Sequence, residues 1–124
     1  MIPNPRVGAV VFMVKDIERS HAFYRDAFGL NLERLPGEDG GTWLMGKAGE
    51  ISVICFEGEA QPGQSPIVVF ELQDGGIDSV AEALAGKGVQ VVTPVSEAPG
   101  GFSFDFADPD GHVWSCWQSQ EKPR

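Results

Sequence analysis

The feature that most constrains this chain is that it repeats itself. Val10-Val11-Phe12-Met13-Val14-Lys15-Asp16 aligns with Val68-Val69-Phe70-Glu71-Leu72-Gln73-Asp74. An amphipathic segment follows each Asp and ends in a glycine, Gly29 in the first copy and Gly88 in the second. Short strand-like runs come next, Leu32 to Leu35 and Gln90 to Thr93, and then the matched pairs Gly40-Gly41 and Gly100-Gly101. Finally Gly49-Glu50-Ile51-Ser52-Val53 matches Gly111-His112-Val113-Trp114-Ser115. The order holds throughout, at offsets between 58 and 62 residues. A chain built this way folds from two copies of one supersecondary unit.

Each copy reads as a strand, a helix and three further strands. Val10, Phe12 and Val14 alternate as a strand with one covered face should. Asp16 stands where a helix N-cap belongs, with Glu18 in the positive first turn. Ile17, Tyr24 and Phe28, with Phe23 beside them, give the first helix its buried stripe, and Gly29 supplies the left-handed stop. In the second copy Ile77, Val80 and Leu84 form the stripe and Gly88 the stop, while Gly75-Gly76 leaves the helix start loosely defined. The expected organisation is one domain, 1–124, with module one at about 7–57, a turn-rich linker at 58–66 and module two at about 67–119.

With 42% apolar and 22% charged residues in 124, the chain has the makings of one globular core. No apolar run approaches the roughly 18 residues of a membrane span, so no membrane partner is expected. The start, Met1-Ile2-Pro3-Asn4-Pro5, lacks the basic and apolar regions of a signal peptide, which makes the cytoplasm the default location. A net charge of −9 repels phosphate backbones, which argues against nucleic acid and favours a cationic ligand, or simply solubility. Cys55 and Cys116 belong to no metal-binding spacing and lie in apolar runs, as buried reduced thiols do.

VVFMVKDIERSHAFYRDAFGL resembles the opening strand and helix of the glyoxalase/bleomycin-resistance/dioxygenase superfamily, the vicinal oxygen chelate proteins. FSFDFADPDGHVWSCW is similar to its closing signature, in which an Asp-Pro-Asp-Gly turn joins the last two strands. The resemblance runs from about Val7 to Gln118. It implies an α+β fold of two βαβββ modules, each a curled four-stranded mixed sheet, forming a half-open barrel around a pocket. It also implies a homodimer, with the pocket formed within one chain or across two.

Enzymes of this superfamily hold a divalent metal through His, Gln or Glu at up to four symmetry-related strand positions. Carried over, those positions are Ala9 and Ile67, seven residues before each strand-ending Asp, and Val53 and Ser115, four after each turn glycine. None is a good ligand, since Ser115 offers only a neutral hydroxyl. No metal and no other cofactor is therefore expected. Neither histidine repairs the set: His21 sits on the first helix, against the core or in solvent, and His112 follows the turn. Neither is spaced from a nucleophile as a triad requires.

Strand alternation proposes what lines the pocket instead. The inward sets are Ala9, Val11 and Met13 with Ile67, Val69 and Glu71 on the first strands, and Ile51, Val53 and Cys55 with Val113, Ser115 and Trp117 on the closing strands. Trp43, Phe102 and Phe104 are candidates to join them. The expected ligand-binding residues are accordingly Trp117, Glu71, Ser115, Trp43, Met13, Val69, Cys55 and Phe104, with no catalytic residue. Such a wall suits an apolar or aromatic ligand, and Glu71, whose counterpart is Met13, could meet a cationic group.

The function expected is metal-independent binding of a small molecule, resembling the bleomycin-resistance branch, whose acidic dimers sequester antibiotics. Two alternatives stand beside it. One is a metal-dependent glyoxalase- or dioxygenase-like enzyme of the same superfamily. The other is a non-catalytic partner subunit that kept the fold and lost the site.

Overall fold

The alternating apolar runs form strands and the amphipathic segments form helices, in the order the repeat dictates. A computed structural model describes residues 1–59, 61 and 63–124. The first copy supplies β1 (Val7–Val14), α1 (Ile17–Phe28), β2 (Glu33–Pro36), β3 (Thr42–Ala48) and β4 (Ile51–Glu57). The second supplies β5 (Ile67–Glu71), α2 (Ile77–Gly86), β6 (Gln90–Ala98), β7 (Gly101–Ala107) and β8 (Val113–Ser119). Strand order is β2-β3-β4-β1 in the first copy and β5-β8-β7-β6 in the second. The β1–β4 and β5–β8 pairs are parallel, while β2–β3, β3–β4, β6–β7 and β7–β8 are antiparallel. This is the α+β arrangement of two βαβββ modules that the repeat implied.

Two compact units result, Gly8–Ile67, and Val68–Arg124 together with Met1–Val7. The first seven residues thus fold with module two. Ile2 packs on its core, and the carbonyl of Arg6 accepts the N–H of Glu71 at 2.9 Å. Of the expected linker 58–66, residues 60 and 62 lie outside the described residues.

Local signals set the helix ends. The Asp16 carboxylate accepts the Arg19 N–H at 3.1 Å, and Gly29, at φ +69°, donates its N–H to the Arg25 carbonyl. The N-cap of α2 is Gly76, which has no side chain to offer. Gln118 of β8 does that work from outside the helix, its Oε1 accepting the Ile77 N–H at 2.9 Å. Its amide nitrogen donates to the Lys122 carbonyl at 2.9 Å, so a fully buried side chain ties the helix start to the chain's last residues.

Each helix covers one face of its own sheet. Under α1 the core is Ile17, Leu32, Leu44 and Cys55, with Phe12, Val14 and Tyr24 packed against it. Under α2 it is Leu72, Ile77, Val80, Leu84, Phe104, Phe106 and Cys116. The stripe expected on α1 is corrected here. Ile17 is buried, but Phe28 is 66% and Phe23 53% exposed. His21 takes the inward place, its Nε2 donating to the Leu32 carbonyl at 2.8 Å. Among the described residues no helix is long and apolar enough to cross a membrane.

Candidate functional site

Pairing registers decide which side chains share a face. In module two Val69 is opposite Ser115 and Glu71 opposite Trp117 across β5 and β8, and on β7 Asp105 is opposite Ser115 and Ser103 opposite Trp117. Phe70, Phe104 and Cys116 belong to the core under α2, so the alternate residues, Glu71, Ser103, Asp105, Ser115 and Trp117 among them, lie on the helix-free face. In module one Phe12, Leu44 and Cys55 belong to the core under α1, which leaves Val11, Met13, Trp43, Met45, Ile54 and Phe56 on the helix-free face.

The eight expected binding residues therefore divide three ways. Trp117, Glu71, Ser115 and Val69 come together on the helix-free face of module two. Met13 and Trp43 lie on that of module one. Cys55 and Phe104 are corrected: both have no exposed surface and fill the cores beneath α1 and α2. Val53 and Phe102, also considered for the inward set, pack against those same cores. For Val53 and Cys55 the cause is a one-residue difference between the hairpins. Leu44 pairs with Cys55 eleven positions later, whereas Phe104 pairs with Cys116 twelve positions later. Counting from the turn glycine puts β4 one residue out, which turns every side chain to the other face. The structural counterpart of Ser115 is Ile54, not Val53.

That correction leaves the metal test where it was. The four relevant positions are Ala9, Ile54, Ile67 and Ser115, and an isoleucine donates no better than a valine. The Ser115 hydroxyl, 5% exposed, donates to the Phe104 carbonyl at 3.1 Å. Among the described residues no three His, Cys, Asp or Glu side chains gather as a metal site would need. The residues present do not fit the metal of the superfamily's enzymes.

Alternation in Phe102-Ser103-Phe104-Asp105-Phe106 carries the signal that reasoning on the closing strand alone missed. Its phenylalanines belong to the α2 side and its polar residues to the helix-free face. Position for position, that face changes character between the modules. Met13 corresponds to Glu71, Met45 to Asp105, Ile54 to Ser115 and Phe56 to Trp117. Module one presents thioethers and rings, with Trp43 stacked on Phe56 at 5.4 Å between centroids. Module two presents two carboxylates, hydroxyls and an indole. Both indoles are fixed by main-chain carbonyls, Trp43 Nε1 donating to Pro36 at 3.2 Å and Trp117 Nε1 to Pro99 at 3.1 Å.

Neither thiol is set up to react. Burial raises the Cys55 pKa and pushes that of Cys116 up to about 12. Asp108 opens the turn between β7 and β8. Its Oδ1 accepts the N–H groups of Asp110 and His112, each at 3.0 Å, and its Oδ2 the Trp114 indole N–H at 3.4 Å. Burial works against its charge, but these donors outweigh it and hold the carboxyl below its ordinary pKa. His112 serves the turn through its main chain.

Comparison with known proteins follows the same lines. The model of the Glyoxalase/Bleomycin resistance protein/Dioxygenase superfamily matches residues 6–116. A hypothetical protein of Bacillus halodurans superposes with a TM-score of 0.74 at 16% identity, over 98% of this chain and 99% of that one. Methylmalonyl-CoA epimerase of Streptomyces coelicolor, solved with 2-nitronate-propionyl-CoA, gives 0.67 at 16% identity, over 96% and 97%. A glyoxalase/bleomycin resistance protein/dioxygenase superfamily member of Vibrio splendidus gives 0.60 at 17% identity, over 94% and 100%. At such identities the likeness is one of fold. Comparison with curated protein sequences gave no match.

Proposed function

Because the chain belongs to the Glyoxalase/Bleomycin resistance protein/Dioxygenase superfamily, we propose that it is a metal-independent binder of a small aromatic molecule bearing a cationic group, such as an antibiotic. The reading rests on one observation, the juxtaposition of Glu71 and Trp117 on neighbouring strands of module two. An indole offers a flat apolar surface and a carboxylate beside it offers charge, the two elements that recognise an aromatic cation. Asp105, next to Ser115 on the same face, strengthens the negative field there. The net charge of −9 draws a cation in from a distance. Val69 on this face is proposed to add an apolar contact, and Met13 and Trp43 are proposed as ligand contacts on the helix-free face of module one by itself. The protein is proposed to work in the cytoplasm, as a homodimer.

An enzyme of the superfamily's metal-dependent kind is the weaker reading, because Ala9, Ile54 and Ile67 carry no donor atom and the Ser115 hydroxyl is already bonded. A non-catalytic partner subunit is distinguished by failing to bind any small molecule.

The deciding experiment is a titration of the purified protein with a panel of cationic and aromatic antibiotics, followed by tryptophan fluorescence. Saturable quenching that Trp117→Ala abolishes is the expected result. Glu71→Gln should weaken binding by roughly 5- to 30-fold, about 1–2 kcal/mol. No response to any compound, or quenching indifferent to both substitutions, would defeat the proposal. Elemental analysis of the same preparation should find no stoichiometric Zn, Ni, Fe or Mn, and one tightly bound ion per chain would reverse the metal assignment.

A further inference from the structure

A second surface of module two, on the side of α2, has no part in that proposal. The two modules treat one corner of this side differently. In module one the residues that follow α1 close down on the sheet. Leu32 is 4% exposed, its carbonyl is held by His21, and it lies so near Gly46 that a Cβ there would meet Leu32 Cδ2 and the Asn31 carbonyl, each at 2.8 Å. Opposite Gly46 on β4 is the small Val53. In module two the corresponding pair is Phe106 and Trp114. Two large rings replace a glycine and a valine, and the segment after α2 does not seal the corner. An open cavity of about 670 Å³ remains, with Phe70, Phe106, Trp114, Lys87, Val89 and Asp108 in its lining. Phe70 and Trp114, both in its lining, are stacked on one another at 5.5 Å and nearly parallel, at 6°.

From this geometry we infer that the corner cavity of module two binds a planar aromatic molecule carrying an amine. The rings supply the stacking surface for the aromatic part. The charge of the occupant follows from what stands around them. Asp108 Oδ2, beside the Trp114 indole, accepts one long bond of 3.4 Å and has room for a donor. Lys87 and Val89, which follow α2 directly, line the cavity, so the partly negative C-terminal end of the helix stands at the same corner, and its last turn contains no basic residue. Lys87, the C-cap residue, also lines the cavity; the helix end offsets part of its charge, and Asp108 carries a full opposite one. A carboxylate on the ligand would meet Asp108 and the helix carbonyls unfavourably. A hydrogen-bond donor suits both.

The three tryptophans make the test specific, since Trp114 reports this cavity, while Trp117 and Trp43 report the helix-free faces of modules two and one. The ¹⁵N-labelled protein is titrated with tryptamine, and with indole-3-acetate as the charge-reversed control. The Trp114 Nε1–H resonance should move saturably, with the same affinity in wild type and in Glu71→Gln, and indole-3-acetate should bind at least tenfold more weakly. Trp114→Val, which installs the residue of module one, should lose at least tenfold in affinity with the other two indole resonances in place. If that variant does not fold, the amides of Glu71→Gln decide: Lys87, Val89 and Asp108 should still shift as they do in the wild type. A silent Trp114, a Trp114 shift that Glu71→Gln weakens, or equal binding of both probes would overturn the inference. Movement of Trp117 alone would overturn it too and leave the proposed function standing.

Discussion

Cys55 and Cys116 show how much a single side chain's surroundings decide. Both lie in the layer of each sheet that faces its own helix, and both have no exposed surface. Their burial was legible from the apolar runs around them, but the face of Cys55 was not, because a strand read in isolation has no top or bottom. The consequence for chemistry is directional. The Cys116 thiol keeps its proton to about pH 12 in the folded chain, against an ordinary value of 9.0. Its contribution to stability is therefore complete below pH 9 and is lost as the pH climbs from 9 toward 12. Urea midpoints measured between pH 8 and 11 should fall, and Cys116→Ala should flatten the decline. A disulfide reagent at pH 8 should find no reactive thiol until denaturant is added. Gln118 is a second case. Nothing in Trp114-Ser115-Cys116-Trp117-Gln118 says that the last residue caps a helix forty positions away, because the partner is brought there by the fold. Gln118→Ala strands the buried Ile77 N–H and should cost about 1–3 kcal/mol by urea denaturation. Gln118→Glu keeps the acceptor but buries a charge and loses the amide donor, and should be no better.

At the scale of elements, order was readable and register was not. Periodicity and glycine stops place the eight strands and two helices found among the described residues, because those signals are local. The β3–β4 and β7–β8 hairpins differ by one residue between their paired layers, and that difference lies in how two strands meet. It misplaced Val53 and Cys55. Reading Ser103 and Asp105 against their neighbouring phenylalanines would have placed Phe104 correctly. The first helix failed for a related reason. Aromatic residues at Phe23 and Phe28 fit an apolar stripe, yet the sheet beneath engages Ile17, His21 and Tyr24, and Phe28 stands 66% exposed. The close approach behind α1 is open to test. Gly46→Ala drives a methyl into the Asn31 carbonyl and Leu32 and should destabilise by about 1–3 kcal/mol. His21→Ala frees the Leu32 carbonyl and should reduce stability by about 1 kcal/mol in urea denaturation.

For the molecule as a whole, mass and charge set two expectations. Light scattering should return about twice the chain mass of 13.3 kDa if the homodimer proposed here forms. Binding of a cationic ligand should weaken severalfold between 0.05 and 0.5 M salt, because the attraction of a chain with net charge −9 is screened. The order of elements was legible from the duplication and the α+β sheet arrangement from the resemblance, whereas the assignment of residues 1–7 to module two was not, since their partners lie about sixty-five positions downstream. That arm has a bearing on how the chain is made. A ribosome delivers Arg6 first, yet the Glu71 N–H that its carbonyl accepts arrives only after the whole of Gly8–Ile67. Module one can be complete while Ile2 and Arg6 still trail unpaired from it, and closing that long loop falls to the final stage of folding. The seam of the duplication is thus threaded rather than butted: cut the gene at residue 66, and the second half is born without the strip of chain that finishes its own core.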